Sequence, residues 1–145
     1  MSTMNAMNVS ASGMTAQRLR MDIISQNIAN VNTTRDENGN PYRRKEVIFS
    51  EKDNSTFQDV LSRTSEAVGN GVKVTQIVDD NDAQMRKVYD PSHPDADADG
   101  YVTYPNVNIV QEMTDMIDAS RSYEANVTAF NASKNMALKG LEVGK

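Results

Sequence analysis

No cysteine occurs anywhere in the 145-residue chain, so disulfides, thiolate metal sites and cysteine nucleophiles are excluded together. Tryptophan is also absent, aromatic residues reach only 6% and hydrophobic residues 38%, which leaves little bulky material for a core. Mean hydropathy is −0.61. There is one histidine, His93, with neither a carboxylate–nucleophile pattern nor other nitrogen ligands around it. It reads as a loop hydrogen-bonder, not as a catalyst or metal ligand. An enzyme built on this chain would have only carboxylates and hydroxyls to work with, and none shows a recognisable spacing. The chain is therefore read as non-enzymatic, with no cofactor.

Two further absences concern surfaces. No stretch approaches the ~20 apolar residues that span a bilayer, so direct membrane insertion is not expected. The N-terminus has neither the basic start nor the unbroken apolar run of a cleaved secretory signal. Any export is expected to leave it intact. The formal net charge is −5, and phosphate binding needs a concentrated basic face, so nucleic acid is not the expected ligand. The one basic run, Arg43-Arg44-Lys45, is followed closely by Glu46, Glu51 and Asp53. It reads as a solvated or ion-paired surface.

What the chain does contain falls into three parts: an N-terminal helix (1–34), a β-rich central section with extended loops (35–105) and a C-terminal helix (106–145). In the first, Met7, Met14, Met21 and Ile28 recur seven apart and are joined by Ile24 and Val31, a narrow coiled-coil-like stripe. Gly13 interrupts it, at a cost of about 1 kcal/mol relative to Ala. Asn30, Asn32, Thr33 and Thr34 supply stop chemistry. Asn27, Asn30 and Asn32 have two readings: register-setting amides bonded to adjacent subunits, or helix termination and turn formation. Termination is favoured at Asn30 and Asn32.

In the middle, Val47-Ile48-Phe49 is a short strand candidate after the Asn38-Gly39-Asn40-Pro41 turn. Val72 to Val78 alternates with period two and is β-branched, which predicts a strand. Met85 to Tyr89 is its expected hairpin partner, across Asp79-Asp80-Asn81-Asp82. Thr56 to Leu61 fits a short helix or a strand equally, and Asp90 to Pro105 reads as a proline-bounded loop. Within that loop Asp95 to Gly100 mimics half of a calcium-binding turn. Its twelfth position is Asn106 instead of a bidentate Glu, and Pro91 and Pro94 bar an entering helix. An acidic turn is the reading.

The last part carries the strongest periodicity: Ile109, Met113, Met116, Ser120, Tyr123, Val127, Phe130, Lys134, Ala137 and Leu141 follow alternating steps of four and three. Asn106 or Asn108 can cap the start, and Glu112 and Asp115 suit the helix dipole. The nine methionines are adaptable packing material, not a metal box. A helix from Asn106 to Leu141 would be roughly 50 Å long, more than the central section can cover, so the fold class is α+β with the two end helices paired. Val107, Val110, Ile117 and Leu138 lie off the main stripe of the second helix, and Leu19 and Ile23 off that of the first. Such spare apolar faces call for further helices, most simply those of neighbouring copies. A monomeric helical hairpin packed on its own β-section, and an adaptor for a single partner, remain open on periodicity alone.

Several segments carry a resemblance. Gln17 to Thr34 (QRLRMDIISQNIANVNTT) resembles the N-terminal motif of bacterial flagellar rod and hook proteins. Pro41 to Lys45, Val88 to Asp97, Gly100 to Val102, Tyr104 to Asn108 and Ser120 to Asn131 extend the likeness and narrow it to a proximal-rod component. The resemblance implies a structural subunit of the flagellar basal body, exported uncleaved through the type III apparatus to a rod in the periplasmic space. It implies stacking of both end helices into the inner tube of a torque-transmitting shaft. Copies of the chain, the rod proteins FlgB and FlgF, and FliE would be its neighbours.

Overall fold

The computed structural model describes residues 3–36, 39–52 and 70–143. A 27-residue helix α1 (Thr3–Ala29) opens the chain and a 35-residue helix α2 (Ile109–Val143) closes it. Between them lie β1 (Lys45–Glu51), β2 (Val72–Asp79), β3 (Arg86–Tyr89) and β4 (Tyr101–Tyr104). The architecture is α+β. The helices pack together antiparallel: Gly13 of α1 meets Asn126 of α2, and Asn27 meets Glu112. At Gly13 the approach is tight, since a Cβ there would stand 2.8 Å from Asn126 Oδ1. The propensity cost of that glycine is exchanged for close packing.

The strands pair differently from the sequence expectation. β1 and β2 form one antiparallel ribbon, from Lys45↔Asp79 to Glu51↔Val72, with a register shift between Ile48 and Phe49. β3 pairs with β4, not with β2. The reason lies in the turn after β2. Asp80 donates its N–H to the Arg44 carbonyl, prolonging the first ladder, and its carboxylate accepts from the Asp82 and Ala83 N–H groups. Asn106 then donates to the Asp80 carbonyl at 3.0 Å, pinning the turn away from β2.

The segment read as a plain loop, Asp90 to Pro105, contains β4. Its two sides are laced by Asp90 N–H to the Gly100 carbonyl and Asp97 N–H to the Tyr101 carbonyl. Gly100 takes φ +80°, where a Cβ would press on Tyr89 and Pro91. Across the ladder Tyr89 meets Tyr101 edge-on at 5.3 Å, and the Arg86 guanidinium lies 5.1 Å from the Tyr104 ring centroid. Val102 on this strand is fully buried. Asp95 accepts from Thr34 Oγ1 at 2.8 Å and faces Arg35, so the acidic turn ties back to the segment that follows α1. His93 Nδ1 accepts from the Asp95 N–H at 3.1 Å, the loop hydrogen-bonding role expected of it.

α2 begins at Ile109, three residues after the earliest expected cap, because Asn108 takes that position. Its Oδ1 accepts from the Val110 N–H at 3.0 Å. At the other junction the Asn30 side chain donates to the Gln26 carbonyl and accepts from Thr33 Oγ1, ending α1 with turn chemistry. Asn32 is exposed in that turn. Thr56 to Leu61 lies outside the described residues.

Candidate functional site

Two features stand out: a buried polar knot at the junction of α1, β1 and α2, and apolar helix faces that the described residues leave exposed. The knot centres on Asn27, which is 1% exposed, and Glu112, which is 0% exposed. Asn27 Nδ2 donates to the Lys45 carbonyl at 2.9 Å and to Glu112 Oε2 at 3.0 Å. Its Oδ1 accepts from the Lys45 N–H and from the Tyr42 hydroxyl, both at 2.9 Å. Every hydrogen-bonding position of this amide is therefore filled from within the chain. Asn27 lies inside α1, so it does not terminate the helix; it fastens α1 to β1 and α2.

Glu112 is held on its other oxygen by Arg44 Nε at 2.5 Å. Arg44 also pairs with Glu46, reaches Asp115 at 3.6 Å and Asp80 at 4.0 Å, and its N–H donates to Asn106 Oδ1 at 2.9 Å. Arg20 of α1 approaches Asp115 from the far side at 3.8 Å. Of the basic run only Arg43 is fully surface; Arg44 is ion-paired and partly buried, and Lys45 lies over the Tyr42 ring. Burial pulls the Arg44 guanidinium down, but the hydrogen bonds and charges of Glu112 and Glu46 reverse this and hold it above its ordinary value. Burial, with the negative fields of Asp79 and Glu112, pushes the Tyr42 phenol up, so it stays protonated and donates to Asn27. The carboxylates here are engaged with arginines and amides. Among the described residues no group of three or more acidic or histidine side chains is placed to hold a metal ion.

The helix faces behave in the opposite sense. The side of α2 against α1 is lined by Glu112, Ala119 and Ser133, all buried, with Asn126 in the same row. Met116, Tyr123, Phe130 and Ala137 flank that row, partly covered. Of the other candidate packing residues, Met7, Met14, Met21, Ile28, Val31 and Val127 are partly covered and Ile24 is buried. Ile23, read as part of a spare face, is core at 5% exposure. Ile109, Val110, Met113 and Ile117 instead share one open face at the start of α2, between 44% and 74% exposed. Met136, Leu138 and Leu141 are at least half exposed toward its end. Sequence reasoning missed Arg44, Asn106 and Glu112 as a group. The signal lay in the clustering of charged and amide residues at the start of a helix and of a strand, which reads equally well as solvated surface.

A small seam, a satisfied polar knot and exposed apolar helix faces are the features of an axial structural protein carried on two long end helices. Two family models agree: residues 7–35 match "Flagella basal body rod protein", and residues 98–143 match "Flagellar basal body rod FlgEFG protein C-terminal". The chain is 50% identical to the flagellar basal-body rod protein FlgC of Bacillus subtilis over the full length of both. It is 45% identical to FlgC of Borreliella burgdorferi over 99% of this chain and 98% of that one, and 37% identical to FlgC of Escherichia coli over all of both. The chain belongs to the FlgC family of flagellar basal-body rod structural proteins. Among the described residues no helix is long and apolar enough to cross a membrane.

Proposed function

We propose that this chain is a structural subunit of the proximal rod, and that it stacks its end helices with those of neighbouring subunits to build the torque-transmitting shaft. The observation that carries the reading is the open face of Ile109, Val110, Met113 and Ile117. A chain with so few bulky apolar residues nevertheless leaves these four in water. Full burial of each would be worth roughly 1.5–3 kcal/mol, which neighbouring helices can supply and the described residues do not. Met7, Met14, Met21, Ile28 and Val31 on α1, with Leu138 and Leu141 at the far end of α2, extend the packing surface. Copies of itself, FlgB, FlgF and FliE are the proposed neighbours. Delivery runs through the type III export apparatus to the periplasmic space, without removal of an N-terminal signal. Stiffness then comes from interlocked side chains, since close-packed interiors transmit strain.

The test is motility restored in a strain lacking its own FlgC. Val110→Asp and Ile117→Asp change only exposed positions, so the purified chain should keep its stability to within about 0.5 kcal/mol. Both variants should fail to restore swimming. Normal swimming by both would remove the open face from the assembly and with it this reading. Light scattering of the chain mixed with other rod proteins separates a shaft subunit, which enters extended arrays, from an adaptor that stops at one partner.

A further inference from the structure

Both strands of the β1–β2 ribbon touch α1, and hydrogen bonds fix the ribbon at two places. At one end Asn27 takes both the N–H and the carbonyl of Lys45, the first residue of β1. At the other end Ser12 Oγ accepts from the N–H of Val72, the first residue of β2, at 3.0 Å. The same hydroxyl donates to the Val9 carbonyl at 2.7 Å, which fixes the rotamer that faces the ribbon. Because Val72 pairs with Glu51 and Lys45 with Asp79, these two anchors hold opposite ends of one ladder.

The lengths agree. The rise from Ser12 to Asn27 is roughly 22 Å, about four turns, which brings both residues to the same side of the helix. The strand from Lys45 to Glu51 spans about 20 Å. Gly71 completes the fit: it takes φ +93°, and a Cβ there would fall 2.3 Å from Ser12 Oγ. Its carbonyl also accepts from the Lys52 N–H at 2.9 Å, closing that end of the ribbon. Side-chain hydrogen bonds to strand backbone at both ends leave no single pivot about which the ribbon could turn.

We infer that Ser12, Gly71 and Asn27 form a two-point strap that holds the ribbon at one attitude along α1, so that helix and ribbon move as one body. The mechanical consequence, load passed from the helices to the β-section without a hinge, rests on the shaft reading; the strap itself does not. It also divides α1. The stretch between the anchors is clamped even in a single chain, while among the described residues no hydrogen bond ties the turns before Val9 to the ribbon.

The strap is tested on the purified chain, where the absence of cysteine allows clean labelling. Spin labels at Asp22→Cys and Lys73→Cys, both exposed positions, report the attitude of the ribbon's Ser12 end. The parent should give one narrow distance distribution, and Gly71→Ala should at least double its width. A second variant, Ser12→Ala, removes a single oxygen and should speed hydrogen exchange at the Val72 amide about tenfold. Thr15→Ala, whose hydroxyl donates to the Ala11 carbonyl within α1, should leave that amide unchanged. A broad parental distribution, or unchanged Val72 exchange in Ser12→Ala, overturns the strap. Failure of the Val110 and Ile117 variants to behave as stated bears on the shaft alone, so the two ideas fall separately.

Discussion

Replacing Arg44 with Met asks how much of the chain's stability depends on the knot. Glu112 has no solvent exposure and draws its charge compensation chiefly from Arg44, through the 2.5 Å contact to Nε. Met keeps most of the apolar stem and removes the charge. Among the described residues Glu112 would then be left with one neutral donor, Asn27 Nδ2 at 3.0 Å. Breaking a buried pair from one side costs about 3–5 kcal/mol, a large share of the ~5–15 kcal/mol that holds a typical domain together. Glu112→Leu alone should cost about 1–3 kcal/mol, because Arg44 keeps Glu46, Asp80 and Asp115 as partners while Asn27 loses an acceptor. With both changes the uncompensated charge is gone, and the loss should return to about 1–3 kcal/mol instead of the sum. Urea unfolding followed by far-UV circular dichroism measures all three, with an unchanged denaturant slope as the check on the unfolded state. Purely additive losses, or a loss below about 1 kcal/mol for Arg44→Met, would show that solvent already compensates Glu112 and that the knot is ornamental.

Two further outcomes follow from the same geometry. Gly13→Ala should destabilise the chain although Ala is favoured in helices by about 1 kcal/mol, because the new methyl meets the Asn126 amide. Paired with Asn126→Ala the same change should become stabilising, a sign reversal readable in urea midpoints. Tyr42 gives a pH dependence. Its folded value is raised above the ordinary 10.0, so its contribution is fully present below that pH and is lost as pH climbs past it toward the folded value. Tyr42→Phe should remove this part of the alkaline decline while costing about 0.5–1.5 kcal/mol at neutral pH for the lost bond to Asn27. An alkaline limb identical in both proteins would refute the assignment.

The helices were legible because each repeats its pattern over many turns, and a few misplaced polar residues cannot hide such a signal. Strand existence was legible at Val47-Ile48-Phe49 and Val72 to Val78 for the same local reasons. Strand pairing was not, because it turns on side chains distant in sequence. Asn106 decides where the chain goes after Asp80, and no window around Asp80 contains Asn106. Tyr101 to Tyr104 had the β-branched and aromatic composition of a strand, but the prolines and acidic residues around it outweighed four residues. Ion pairing at Arg44 and the place of Glu112 in the first turn of α2 are both legible in the sequence, but their burial against each other is not, since burial of a charge is a property of the pair.

The rotation of α2 is the point at which sequence pattern and structure part. By apolarity the helix should turn Met113, Ser120, Val127 and Lys134 toward its partner, alternating with Met116, Tyr123, Phe130 and Ala137. It keeps the second row near the seam and turns the first away by one position, so that Glu112, Ala119, Asn126 and Ser133 lie inward. Exchanging one of the two rows for its neighbour turns the seam by half the ~100° between successive residues, and places the carboxylate of Glu112 against Asn27 and the Asn126 amide against a helix that is glycine at Gly13. Small and polar residues let the helices approach closely, and the knot supplies the register that a seam poor in bulky side chains would specify weakly. The same turn carries Ile109, Met113 and Ile117 into water. Hydrogen bonding inside the chain and apolar surface outside it are thus two results of one rotation. On the proposed stacking of the end helices, a variant that restored the apolar row to the seam should gain stability as a monomer, read in urea midpoints, and lose its place in the rod, read in motility.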